Sequence, residues 1–254
     1  MSLPDTLPGR PRPHRVLHLE RTGSTNAVAR AGLAEGSLDV GDVVVADVQT
    51  AGRGRRGADW VAPPGRAFTA SVVLDWPALP RPGALAVRAA VAAVRALSRC
   101  GVDDVAIKWP NDLLRGERKI GGMLIESVRH ADGRPLQVLG LGLNLELRPG
   151  DLPDDLARLA GDAGLTRGSR DRDRLLAAWL DELDAARAGW GTPGDAGRAD
   201  EYRARAWVRG RRVHLLHAGQ PRQVRIRDVT GDGDLITEDD EHLPGELVER
   251  VRPA

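Results

Sequence analysis

Three short runs hold the side chains able to do chemistry in this chain. The densest is Gln49-Thr50-Ala51-Gly52-Arg53-Gly54-Arg55-Arg56-Gly57-Ala58-Asp59-Trp60. Guanidinium groups only donate hydrogen bonds and stay charged at any working pH, so Arg53, Arg55 and Arg56 suit a phosphate or carboxylate. The glycines between them permit positive φ and let the backbone approach a ligand closely. The indole of Trp60 closes the loop. A second run, Ile107-Lys108-Trp109-Pro110-Asn111-Asp112-Leu113-Leu114, places a Lys, an Asn and an Asp at a strand end that proline keeps from regular pairing. A third, Lys119-Ile120-Gly121-Gly122-Met123-Leu124-Ile125-Glu126, opens on a cation. Its two glycines are costly inside a strand unless a ligand lies against the backbone. Leu139-Gly140-Leu141-Gly142-Leu143-Asn144 repeats that pattern and ends on an amide.

Each run also has a plainer reading. Gly52-x-Gly54-x-x-Gly57 matches the dinucleotide fingerprint, with Asp75 about 20 residues further on. That motif must open a helix, and Pro63-Pro64-Gly65 forbids one before the next strand. An Arg/Gly loop can grip nucleic acid non-specifically. Asp112 beside a lysine can be a structural ion pair. Thr22-Gly23-Ser24-Thr25-Asn26 can be a helix N-cap, but three adjacent polar side chains exceed what one cap needs. The others are free to face a small polar ligand. Asp232, Asp234, Glu238, Asp239, Asp240 and Glu241 lack the central glycine and twelfth-position Glu of a calcium loop, and read as solvated turns.

Composition narrows the classes. The 254 residues are 41% apolar, enough for one large domain and a small one. Basic residues number 37 and acidic ones 36, and there is one Phe and one Tyr. Neither a basic face nor a stacking platform follows, which disfavours nucleic acid as the main partner. A single Cys100 excludes an intramolecular disulfide and fits a reducing compartment. Met1–Arg15 has no apolar signal region and no stretch reaches membrane-span length, so the expected location is the cytoplasm.

A sheet must hold these groups. Val16–Glu20, Asp42–Val48 and Phe68–Leu74 read as strands, and Ala27–Glu35 has helical spacing. Pro82–Cys100 is an alanine-rich helix with Leu85, Val87, Ala90, Val91, Val94 and Leu97 on its packing face. Ile120–Val128 alternates as a strand with Lys119 at its start, Asp132-Gly133 turns a hairpin, and Leu136–Leu143 returns. That apolar return strand is expected at a sheet edge, where two copies would pair. Arg148–Asp155 reads as mobile, Arg170–Gly189 as an amphipathic helix and Asp200–Trp207 as a shorter one. From Arg211 onward Val213–Leu216, Gln223–Asp228, Leu235–Thr237 and Glu246–Val251 are short alternating strands, a β-barrel of about 45 residues. The expected division is a disordered tail over 1–14, a catalytic domain over 15–207 and a C-terminal domain over 208–254. Deletion from residue 209 is expected to leave a folded catalytic domain.

Together these runs resemble the bacterial biotin protein ligases, of the monofunctional type without an N-terminal DNA-binding domain. The resemblance rests on Ser24-Thr25-Asn26, the Gln49 to Trp60 loop, Lys108-Trp109-Pro110-Asn111-Asp112, Arg118-Lys119-Ile120-Gly121-Gly122 and Gly140-x-Gly142-x-Asn144, in the family's order. It implies an α+β fold: a class II synthetase-like catalytic domain, with a mixed or antiparallel sheet and helices on one side, then a small SH3-like β-barrel. It also implies attack of biotin's carboxylate on the α-phosphate of Mg-ATP, giving biotinyl-5'-AMP, and transfer to a lysine of a carrier domain of an acyl-CoA or pyruvate carboxylase. By position, Arg53, Gly52, Gly121 and Gly122 cover biotin, while Gln49, Ser24, Thr25 and Asn26 read its ureido ring and valeryl chain. Arg55 grips the phosphate and carboxylate side, and Lys119 bonds both reacting oxygens. Asp112 helps to orient and deprotonate the incoming lysine. Arg56, Trp60, Lys108, Asn111 and Asn144 surround the nucleotide, and Mg2+ enters on the ATP phosphates.

The chain departs from the family pattern at Ala58, where many members carry another Arg, and Arg56 is the nearby substitute. Only 23 residues precede Ser24, too few for a winged helix-turn-helix, so DNA is not an expected partner. A monomer or weak homodimer is expected. A lipoate or octanoate ligase or transferase of the same fold is the nearest alternative, although its Arg-Arg-x-x-Gly-Gly-Gly run is absent. A non-catalytic nucleotide- or RNA-binding protein would explain the arginine loop, but not Lys119, Asp112 and the glycine-bearing strands together.

Overall fold

The computed structural model describes residues 14–76, 82–165 and 168–254. Runs that are apolar on both faces need cover on both sides, and here they form the middle of a sheet. Its strands are β1 (Val16–Thr22), β2 (Val43–Gln49), β5 (Ala67–Leu74), β6 (Val105–Lys108), β7 (Asp112–Arg115), β8 (Arg118–Arg129) and β9 (Pro135–Asn144). The short β3 (Gly52–Arg53) and β4 (Asp59–Trp60) pair with each other outside it. Strand order in the seven-stranded sheet is β1-β2-β5-β9-β8-β7-β6, with β1 and β2 parallel and every other pair antiparallel. The return strand expected at an edge is therefore interior: β9 lies between β5 and β8, and a strand so buried cannot pair a second copy. Its apolar composition is what a central strand requires.

Alternate side chains go to opposite faces of this sheet. Val43, Val45, Phe68, Ala70 and Val72 pack with α2 (Pro82–Arg99), α4 (Ser169–Ala188) and α5 (Pro193–Arg205). Val44, Val73, Leu136 and Val138 meet Ala29 and Leu33 of α1 (Thr25–Glu35) on the other face. Three long helices thus share one side, and α1 alone covers one end of the opposite side. What α1 leaves open on that face holds the site.

After α5 the chain forms β10 (Arg212–His217), β11 (Gln220–Val229), β12 (Leu235–Thr237), β13 (His242–Leu243) and β14 (Val248–Pro253), an antiparallel ladder in the order β13-β12-β11-β10-β14. This sheet stands where the small barrel was expected. It is tied to the larger sheet through Trp207, whose backbone N–H donates to Ile107 O at 2.8 Å, and through Trp109 Nε1, which donates to Gly233 O at 2.8 Å. Val213, Leu215, Ile226, Leu235, Leu243 and Val251 belong to the same continuous apolar cluster as Val91, Ile107 and Trp179. Two sheets therefore share one core.

Of the expected N-terminal tail, residues 1–13 lie outside the described residues. His14 is buried, with ring nitrogens 2.7 Å from Gly41 O and 3.1 Å from Asp184 Oδ2. At the end of the stretch read as mobile, Asp154–Ala157 forms a one-turn helix, α3, whose first two residues fall inside that stretch.

Candidate active site

Helix α1 opens at the polar triplet. Ser24 is its N-cap, with Oγ accepting from the Ala27 amide at 3.5 Å. The cap thus takes one of the three side chains, leaving Thr25 and Asn26 buried in the first turn and facing the sheet. Thr25 donates to Gln49 Oε1 from its backbone N–H at 2.9 Å, and its hydroxyl lies 3.2 Å from the same oxygen.

Strand register builds the floor beneath them. Ser71, Gly140 and Leu124 lie side by side across β5, β9 and β8. Two residues along, Thr69, Gly142, Gly122 and Asp112 form a second row, about 7 Å from the first at the usual rise of a strand. A Cβ on Gly140 would fall 2.3 Å from Asn26 Oδ1, and one on Gly142 would fall 2.8 Å from the Trp60 indole. Glycine at both positions lets Asn26 and Trp60 settle onto the strands.

The arginine loop is a hairpin over the second row. β3 pairs with β4, so Gly52 faces Trp60 and Arg53 faces Asp59. Between them Arg55–Gly57 makes a single 3-10 turn, with Arg56 at φ 57° and Gly57 at φ 75°. Arg55 is half-buried, and burial lowers the affinity of its guanidinium for the proton; Arg56 adds to that effect while Asp112 and Tyr202 oppose it. It remains a fixed cation. Arg56 Nη1 reaches Glu249 Oε2 of β14 at 3.1 Å.

Lys119 meets its partner through a register shift in the β7–β8 pair between Leu113 and Leu114. Its Nζ is 2.6 Å from Asp112 Oδ1 and 5.8 Å from the centre of the Trp60 ring. Asp112 does form an ion pair, as its plainer reading had it, and the pair lines a cleft. Asn111 Nδ2 donates to Met123 O across the same strands. Lys108 Nζ is 5.7 Å from the Trp207 ring, whose Nε1 donates to Glu117 at 2.9 Å.

These walls enclose a cleft of about 530 Å³. Of the residues singled out from sequence, Ser24, Thr25, Asn26, Gln49, Arg53, Arg55, Arg56, Trp60, Lys108, Asn111, Asp112, Lys119 and Gly122 line it. Gly52, Gly121 and Asn144 do not. A Cβ on Gly52 would lie 2.5 Å from Trp60 O, and one on Gly121 would lie 2.6 Å from Gly142 O, so neighbouring backbone explains both glycines without a ligand. Asn144 is buried and donates to Gly161 O at 2.9 Å. Sequence reasoning missed Leu216, Glu249 and Val251, which bring the C-terminal sheet to the cleft. Nothing local in that segment signals the contact, because it depends on how the two sheets pack.

The dinucleotide reading loses its acidic residue. Asp75 accepts from Arg187 at 2.7 and 2.6 Å, which places it outside any ribose-binding role. Burial raises the Cys100 thiol above its ordinary value, away from a reactive thiolate. Among the described residues no three His, Cys, Asp or Glu side chains group as a metal site, and no helix is long and apolar enough to cross a membrane.

The Mycobacterium tuberculosis protein named biotin--[acetyl-CoA-carboxylase] ligase is 36% identical over 224 residues, which are 85% of this chain and 80% of that one. A Paracoccus denitrificans protein of the same name is 44% identical over 138 residues, 52% of this chain and 55% of that one. The structure of biotin protein ligase from Aquifex aeolicus in complex with biotin and ATP shares the fold, with a TM-score of 0.79 at 21% identity over 94% of this chain and 99% of that one. The Biotin/lipoate A/B protein ligase family matches residues 18–144, the segment that holds the polar triplet, the arginine loop, Asp112 and Lys119, and the chain belongs to that family.

Proposed function

We propose that this chain attaches biotin to a lysine of a biotin carboxyl carrier domain, in two steps through biotinyl-5'-AMP. The observation that carries the reading is the division of one cleft. Thr25, Asn26 and Gln49 form a neutral hydrogen-bonding end, while Arg53, Arg55, Arg56 and Lys119 form a cationic end. A ureido ring suits the first, and the second suits a carboxylate meeting a triphosphate. A lipoyl or octanoyl chain would give the neutral wall nothing to pair with, which favours biotin over that alternative.

In the first step a biotin carboxylate oxygen attacks the α-phosphorus of ATP, the bond to the bridging oxygen breaks, and pyrophosphate leaves. Two anions must approach, so the main task of the protein is to place cations around them. Lys119 and Arg55 are the cations flanking Asp112. In the second step the carrier's lysine nitrogen attacks the acyl carbon, AMP leaves, and the nitrogen loses a proton. Asp112 is the carboxylate available to orient that amine once Lys119 turns to the substrate oxygens. A magnesium ion held mainly by the nucleotide's phosphates would, when bound, neutralise phosphate charge.

Biotin-dependent exchange of labelled pyrophosphate into ATP tests the proposal, with lipoate and octanoate run in parallel. Exchange with biotin and transfer to a carrier domain are expected. Exchange with lipoate or octanoate alone would replace the reading.

A further inference from the structure

We infer that Glu126, held by Arg30 outside the cleft, is a positioning residue that sets which atoms of the biotin-binding wall donate hydrogen bonds and which accept them. The inference rests on the biotin reading above. Glu126 is absent from the cleft surface and lies on β8, two residues beyond Leu124 of the first floor row. Its Oε2 accepts from Asn26 Nδ2 at 2.7 Å, and its Oε1 accepts from Arg30 Nη1 at 2.9 Å.

An ionised carboxylate can only accept, so the NH₂ end of Asn26 must face Glu126, with Leu124 O as a weaker acceptor at 3.4 Å. Asn26 Oδ1 therefore turns to Ser71, whose Oγ is 2.6 Å away. Ser71 is fully buried and has one hydroxyl proton for two oxygens, Asn26 Oδ1 at 2.6 Å and Thr25 Oγ1 at 2.7 Å. The amide oxygen carries no proton, so the Ser71 proton goes there. The 2.7 Å contact between Ser71 and Thr25 then needs the Thr25 proton, so the Thr25 hydroxyl donates inward to Ser71 and offers only lone pairs to the cleft. Gln49 Oε1 is already engaged by the Thr25 N–H at 2.9 Å, which leaves the NH₂ end of Gln49 as the donor on this wall. One acceptor and one donor result, which is the pattern a ureido group needs.

Glu126→Gln keeps the shape but lets residue 126 donate. Asn26 can then flip, Ser71 reverses to donate to Thr25, and the Thr25 proton, released from Ser71, is free to turn from the long 3.2 Å contact with Gln49 Oε1 into the cleft against a biotin N–H. Full-length protein is compared with E126Q, E126D and S71A by titration calorimetry with biotin and by pyrophosphate exchange. Biotin binding to E126Q is expected to weaken about ten- to a hundredfold, the effect of reversing one buried donor–acceptor contact. KM for ATP and kcat at saturating biotin should change less than about twofold, and E126D should recover part of the loss. E126Q binding biotin as tightly as the unaltered protein overturns the inference. A merely structural role for Glu126 would instead lower kcat and thermal midpoint together. A protein that binds lipoate but not biotin would refute the functional reading and not the relay. In that case the side-chain amide resonances of Asn26, followed by nuclear magnetic resonance without ligand, decide it: they must shift in E126Q, and unmoved resonances reject it.

Discussion

The Lys119 ammonium lies 2.6 Å from Asp112, and both side chains keep part of their surface in water. A partly exposed pair of this kind contributes roughly 0–1 kcal/mol to stability, so the fold does not depend on it and the chemistry can. Lys119→Gln is expected to fold normally and to lose about a hundredfold or more in biotin-dependent pyrophosphate exchange, the cost of removing one charge-stabilising donor. Near-normal exchange in that variant removes Lys119 from the mechanism. Arg55 differs from its neighbours because it is half-buried against Asp112 and Tyr202. A mixed anhydride must be kept from water until the carrier arrives. In the proposed reaction, each charge-assisted contact from Arg55 to the phosphate would be worth roughly 1.5–3 kcal/mol. Arg55→Gly should therefore still form the adenylate yet release it about ten- to a hundredfold faster. Biotin incorporated into a bystander such as albumin measures the leak, and unchanged bystander labelling would mean that Arg55 serves binding alone.

At the level of elements, the loop is held from two sides. β3 and β4 pair along its base, and Arg56 reaches Glu249 at its tip. Both partners of that pair are about two-fifths exposed, at 43% and 37%, so the latch is worth at most about 1 kcal/mol and is screened by salt. Glu249→Gln should speed tryptic cleavage within the loop at low ionic strength by up to about fivefold, with no change at high salt. Equal cleavage rates at low salt would show that the hairpin alone holds the loop. That a loop and not a helix follows β2 was legible because its causes are local, the glycines and the prolines at Pro63-Pro64 that rule out a helix; its pairing as a hairpin was not. The place of β9 was not legible. Apolar alternation marks a strand, but strand order depends on partners far along the chain, and Leu136–Leu143 reads the same at an edge as in the interior. Gly121 and Gly122 show the same limit within the site. Adjacent glycines look equivalent in sequence, while the pleat sends one against Leu143 and the other to the cleft.

At the scale of the molecule, the strand pattern after Arg211 reads as a separate domain, and its strands do pair only with one another. Packing joins what pairing separates. Trp109, Tyr202, Trp207 and Val208 are buried in the cluster that also contains Val213, Leu215, Leu235 and Val251. A Cβ on Gly83 of α2 would lie 2.1 Å from Asp232 O, so helix and turn are in close contact. Arg88 of the same helix donates to Gly231 O at 3.3 Å while bonding Asp195 of α5. Ending the chain at residue 208 would bare these side chains. Each large apolar residue returned to water costs about 1.5–3 kcal/mol, and a few such losses match the whole stability of a typical domain, about 5–15 kcal/mol. The truncated chain is therefore expected to aggregate or to unfold at much lower denaturant, contrary to what the strand pattern alone suggests. The cleft would also lose Leu216, Glu249 and Val251 from its wall. Urea unfolding followed by circular dichroism decides the matter, because a shared core unfolds in one transition in the full chain and leaves no stable remainder after truncation. A truncated chain that melts cooperatively near the full-length midpoint and still binds biotin would show that the catalytic sheet stands alone.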